Sequence, residues 1–165
     1  MVKIVSGEIN SGKTTQIGQI FEQTNQGDGI ISKKVMLDKD VFGYNGMRLS
    51  DKYTFPLMIH EKYYKQDVIN NGKVFEKDFV GEIGPYKIYK KSLRKINALY
   101  RDFFKKKTTP LYFDEIGMLE IGKGGFYKHL KKALKRKIDV VITVREDLIE
   151  KVIDKFKIEE YEIIE

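Results

Sequence analysis

Gly7-Glu8-Ile9-Asn10-Ser11-Gly12-Lys13-Thr14 decides how the rest of this chain is read. It fits G-x-x-x-x-G-K-[ST] at every fixed position. The short apolar run Val2-Lys3-Ile4-Val5 precedes it and reads as a buried strand. Ile17, Ile20, Phe21 and Thr24 follow at helical spacing, so a helix starts near Gly12. A strand, a glycine-bearing loop and a helix N-terminus together make a cradle for a dense anion. Backbone N–H groups from Asn10 to Thr14, the positive end of the helix dipole and the Lys13 ammonium all converge there. Glycine lets the backbone approach phosphate closely. The candidate nucleotide-binding residues are Gly7, Glu8, Ile9, Asn10, Ser11, Gly12, Lys13, Thr14 and Thr15. Among them, the Thr14 hydroxyl is placed to reach Mg²⁺.

Working outward, 165 residues with 41% apolar content suit one soluble globular domain spanning 1–165. No apolar run approaches the length of a membrane span, so no membrane partner is expected. The first strand begins directly after Met1, so no signal or transit peptide is read and the expected location is the cytoplasm. The chain has no Cys, which excludes disulfides and cysteine–zinc sites. Its formal charge is +7, carried mostly by Lys, with five Arg. A polyanion such as nucleic acid is compatible with that balance but not favoured. Lys105-Lys106-Lys107 closes a helix, and Lys131, Lys132, Lys135 and Lys137 lie on a solvated helix face. Nothing in the sequence specifies an oligomer, and a monomer is the default.

Further along, Gly29 to Ser32 reads as a second strand. Residues 33–90 hold short β-like runs, Val35 to Leu37, Val41 to Leu49 and Tyr53 to Ile59, broken by Gly43, Gly46 and Pro56. A helix is expected from His60 to Asn70, then two strands around Gly84-Pro85. This stretch is expected to form an insertion or lid over the nucleotide. Lys91 to Lys106 carries Leu93, Ile96, Leu99, Tyr100, Phe103 and Phe104 on one helical stripe. Lys123 to Lys137 and Leu148 to Phe156 are further amphipathic helices, and Tyr161 to Ile164 a last strand. Asp139 to Val144 is a continuous apolar run, as in a central parallel strand. The alternation predicts an α/β fold of three layers, α/β/α, around a mainly parallel sheet. Ligands of such sheets sit at the carboxyl ends of the strands.

A second motif lies at such an end. Leu111-Tyr112-Phe113 is an apolar strand running into Asp114-Glu115. Asp114 is the candidate partner of Thr14 in holding Mg²⁺. Neighbouring strand residues face opposite ways, so Glu115 is free to orient and deprotonate a water. Asp114-Glu115-Ile116-Gly117 also fits the D-x-x-G switch of GTPases, but their N-K-x-D motif for guanine occurs nowhere. Arg145 follows a central strand and is a candidate stabiliser of transition-state charge, with pairing to Glu146 or Asp147 as its alternative. Thr143 is either a γ-phosphate sensor or strand packing. His60 and His129 stand apart from the acidic motif.

The two motifs, the G-K-T-T ending of the loop at Thr15, Glu120 three residues beyond Gly117, the Ile83-Gly84-Pro85-Tyr86-Lys87-Ile88 segment and the total length together resemble the small P-loop nucleoside-triphosphatase family first described in thermophiles. The resemblance implies Mg²⁺-dependent hydrolysis of ATP, GTP, CTP and UTP to NDP and phosphate with little base selectivity. It implies that Lys13 and Glu115 act in catalysis and that Thr14 and Asp114 hold the metal. Two alternatives use the same scaffold: a small-molecule or nucleic-acid kinase, and an ATPase module that turns over only with a partner or RNA.

Overall fold

A computed structural model describes residues 1–64 and 78–164. The main elements among the described residues run in this order: β1 (Val2–Gly7), α1 (Lys13–Thr24), β2 (Asp28–Leu37), β3 (Asp40–Arg48), β4 (Thr54–His60), β5 (Phe79–Ile83), β6 (Tyr86–Tyr89), α2 (Lys90–Lys105), β7 (Leu111–Ile116), α3 (Met118–Ile121), α4 (Tyr127–Lys135), β8 (Val140–Arg145), α5 (Ile149–Phe156) and β9 (Tyr161–Ile164). The described strands form one sheet in the order β5-β6-β4-β3-β2-β7-β8-β1-β9.

Successive strand residues point to opposite faces, and the apolar strands are buried on both. Val5, Ile31, Tyr112 and Val141 pack with Ile17 and Phe21 of α1. Ile4, Ile30, Leu111, Phe113 and Ile142 pack with α2, α4 and α5 through Ile96, Tyr100, Leu130 and Val152. The result is the expected three-layer α/β/α arrangement, with α1 on one face and α2, α4 and α5 on the other. Tyr100 is fully buried and stacks on Phe113 with centroids 4.8 Å apart. Such a pair adds about 1 kcal/mol beyond its buried area.

The mainly parallel sheet is only half right. β2, β7, β8, β1 and β9 run parallel. β3, β4, β6 and β5 extend the same sheet as antiparallel strands. β2 belongs to both halves. Its start, Asp28 to Ile30, pairs with β7, and from Ile30 onward it pairs with β3. Its side chains are buried up to Ser32 and mostly exposed from Lys33 on, so the apolar signal stops where the strand continues. The described part of residues 33–90 therefore continues the sheet edge to edge. Residues 61–64 are helical. The remainder of the helix expected from His60 to Asn70 lies outside the described residues.

Candidate active site

The phosphate-type loop connects β1 to α1. Asn10 and Gly12 both hold positive φ, 62° and 91°, the left-handed region that Gly and Asn tolerate best. At Gly7 a Cβ would stand 2.4 Å from Ser11 Oγ, so a side chain there collides with the loop it opens. The Lys13 ammonium folds back over the loop. It donates to the Gly7 carbonyl at 2.9 Å and to the Glu8 carbonyl. Neutral carbonyls hold this cation in place of a carboxylate. An incoming phosphate is a stronger acceptor and competes for it.

β7 delivers the acids. Phe113 pairs with Ile142 and Ile116 with Val144, so β7 carries one extra residue between two fixed pairs. This bulge falls on Asp114-Glu115, where it re-aims both side chains. Glu115 holds φ 58°, unusual for a non-glycine residue and concentrated at functional positions in proteins. The opposite aim expected of the two acids thus comes from a bulge as well as from strand alternation. Asp114 points inward and is 1% exposed. Its Oδ2 accepts from Thr14 Oγ1 at 2.9 Å and from the Ser32 backbone N–H at 2.8 Å. Its Oδ1 accepts from Thr143 Oγ1 at 2.7 Å. Thr143 in turn accepts from the Glu115 backbone N–H at 2.6 Å. One hydroxyl therefore fixes both acids.

A cavity of about 330 Å³ opens at the carboxyl ends of β1 and β7 and beside the middle of β2. Asn10, Ser11, Gly12, Lys13, Thr14 and Thr15 line one side, and Glu115 faces them. Ser32, Lys33, Lys34 and Tyr44 complete the wall. The motif spacing, the order of strands and the cavity agree with the family model described as NTPase, which matches residues 3–165.

The chain belongs to the NTPase family.

Two solved structures of similar fold agree with this, and with the resemblance read from the motifs. The crystal structure of THEP1 from the hyperthermophile Aquifex aeolicus aligns at a TM-score of 0.64 and 17% identity, covering 100% of this chain and 89% of that one. The solution structure of a human cancer-related nucleoside triphosphatase aligns at a TM-score of 0.64 and 16% identity, covering 99% and 86%. At such identity the likeness speaks for the fold. No curated protein matches the chain in sequence.

Within this NTPase the charges are set by burial. Burial raises the Asp114 carboxyl above the usual carboxylate range, while the hydrogen bonds from Ser32, Thr143 and Thr14 oppose the shift. Glu115 lies at the exposed cavity wall. Even so, desolvation by the surrounding cleft, then Asp114 beside it, push its carboxyl up to about 7, with Lys13 pulling the other way. The donor set of one hydroxyl and one carboxylate is made of hard oxygens. It fits Mg²⁺, which takes few protein ligands and completes its shell with water and phosphate oxygens.

Other expected residues fall elsewhere. Glu8 and Ile9 are exposed outside the cavity wall. Arg145 does not line the cavity. Asp147 holds its guanidinium at both ends, with Nη2 to Oδ2 at 2.7 Å. Glu120 is buried, and burial raises its carboxyl. It accepts from the Gly117 N–H at 3.0 Å and the Phe126 N–H at 3.1 Å, tying down the turn after β7. His60 Nδ1 accepts from the Lys62 N–H at 3.0 Å. His129 stacks on Tyr100 and meets Asn97 Oδ1 at 2.7 Å.

Sequence reading missed Ser32, Lys33 and Lys34. The available signal was Lys33-Lys34 directly after Gly29-Ile30-Ile31-Ser32. Two cations there mark where β2 leaves the core beside the cavity, although the strand continues to Leu37.

Proposed function

We propose that this protein is a Mg²⁺-dependent nucleoside triphosphatase that cleaves NTPs to NDP and phosphate with low base selectivity. The observation that carries the reading is Glu115, aimed by the β7 bulge into the cavity opposite Lys13. A bound Mg²⁺, held by Thr14 and Asp114, would neutralise charge on the β- and γ-phosphates. Loop N–H groups and Lys13 orient the phosphate chain. Glu115, with a carboxyl near neutrality, accepts a proton from a water lying in line with the γ-phosphorus. The water oxygen forms a new P–O bond as the bond to the β–γ bridging oxygen breaks. The NDP leaves with that electron pair, and the proton passes from Glu115 to solvent. Thr143 is a positioning residue in this scheme, because it holds Asp114 and the Glu115 backbone together.

The absence of N-K-x-D from the sequence argues against guanine-specific recognition. The test is phosphate release from ATP, GTP, CTP and UTP with Mg²⁺, comparing wild type with Lys13→Ala and Glu115→Gln. Similar turnover of all four, lowered at least about 100-fold in both variants, is the expected result. Full hydrolysis by Glu115→Gln would remove the general base from the scheme. Tight NTP binding with negligible release until an acceptor is supplied would make the protein a phosphotransferase.

A further inference from the structure

The cavity needs a cation at its outer end, because charge on a transferring phosphoryl group is spread over its peripheral oxygens. Arginine often supplies it. Here none of the five Arg lines the cavity, and Arg145 is already clamped by Asp147.

Lys34 is the candidate for that cation. It lines the cavity with Lys13 and Glu115. It comes from β2, on the far side of β7 from the loop strand, so it approaches the site from the side opposite Lys13. Its cross-strand partner is Tyr44, which lines the same wall. The Lys34 ammonium donates to Asn10 Oδ1 at 2.9 Å, and Asn10 is in the phosphate-type loop. Among the described residues it makes no salt bridge with a carboxylate. Like Lys13, it is parked on a neutral acceptor of the loop, and an anion displaces such a contact more readily than a bidentate ion pair. Four surface pairs, Lys3–Glu162, Lys52–Glu22, Lys62–Asp40 and Lys157–Asp154, show the usual alternative.

We propose that Lys34 binds the terminal phosphate: on nucleotide entry its ammonium leaves Asn10 Oδ1 and takes a γ-phosphate oxygen, so that β2 distinguishes a nucleoside triphosphate from a diphosphate. The inference deepens the hydrolase reading above, and rests on it only for the turnover part of its test. Lys34 fixes the outer end of the phosphate chain while Lys13 fixes the loop end. Asn10 is the resting place that keeps Lys34 near the cavity when no phosphate is bound.

The experiment measures binding of a non-hydrolysable ATP analogue and of ADP to the full chain with Mg²⁺, in wild type, Lys34→Ala and Lys34→Arg. Thermal melts confirm that the variants fold. Lys34→Ala is expected to bind the triphosphate analogue at least about tenfold more weakly while ADP affinity stays within about twofold. Lys34→Arg, which keeps the charge, is expected to recover most of the difference. In phosphate release, kcat of Lys34→Ala falls further than KM rises. Equal weakening of both ligands, or of neither, overturns the proposal. So does a loss that arginine fails to restore. A wild-type protein that binds the analogue but releases no phosphate defeats the hydrolase reading, while the triphosphate-to-diphosphate comparison still decides on Lys34.

Discussion

The parallel and antiparallel halves of the sheet share one strand and do different work. In the parallel half, β1, β7 and β8 are almost wholly buried, and the chain places chemistry only where strands emerge: the loop after β1, the acids at the end of β7, Thr143 near the end of β8. In the antiparallel half the strands are partly exposed and lean on ring contacts. Tyr44 meets Tyr86 at 5.2 Å and His60 meets Tyr86 at 5.2 Å. A parallel half built from long-range crossovers aims functional groups from rigid ends. A meander built from neighbouring strands supplies a wall. Damage to the first half should therefore appear in turnover, and damage to the second, outside the shared strand β2, in stability.

The largest effect should follow Asp114→Asn. The amide can no longer accept from Thr14, Ser32 and Thr143 together, because one oxygen becomes a donor. Phosphate release should fall at least about 100-fold. The rise in melting temperature given by Mg²⁺ with nucleotide to wild type should shrink or vanish. A variant that kept both would dissolve the link between this carboxylate and the metal.

Thr143→Val comes next. It removes the hydroxyl that joins Asp114 Oδ1 to the Glu115 N–H, and each group loses that partner. A drop in kcat of about tenfold is expected, with KM changed little and stability lowered by about 1–3 kcal/mol. Recovery in Thr143→Ser, which restores the hydroxyl, would separate positioning from packing.

In the other half, Gly46 lies directly under the Phe55 ring, and a Cβ there would stand 2.6 Å from it. Gly46→Ala should lower unfolding free energy by about 1–3 kcal/mol while kcat stays within about twofold. A loss of turnover larger than the loss of stability would break the division between the halves.

The smallest effect concerns pH. Burial, then the neighbouring Lys128 and Lys132, lower the His129 imidazole from 6.5 to about 4. The folded state thus binds its proton later than the unfolded chain does. Stability from the neutral ring is fully present above about 6.5 and is lost as pH falls toward 4. Denaturant titrations of wild type and His129→Phe should diverge across that window, with the variant less sensitive to acid. Parallel curves would show that His129 does not carry the effect.

The same contrast explains what was legible in the sequence. The loop at Gly7 to Thr14, the acids after Leu111-Tyr112-Phe113 and the stripe on α2 declared themselves through fixed spacing and apolar runs. The antiparallel strands did not, because cross-strand pairing leaves only a weak alternation and Gly43, Gly46 and Pro56 interrupt it. β2 was read four residues long because its apolar signal ends at Ser32, although it runs to Leu37. The β7 bulge has no signature in Asp114-Glu115. Lys34 looks like any other lysine of a basic chain until β2 is seen to pass along the cavity. Arg145 had the better position along the sequence, and Asp147, two residues on, takes it.

β8 separates the strand of the phosphate-type loop from the strand of the acids. It acts as a spacer of fixed gauge. Two inter-strand steps of about 4.8 Å hold β1 and β7 roughly 10 Å apart. The loop after β1 and the acid of β7 nevertheless meet, because Thr14 reaches past the end of β8 to Asp114 at 2.9 Å.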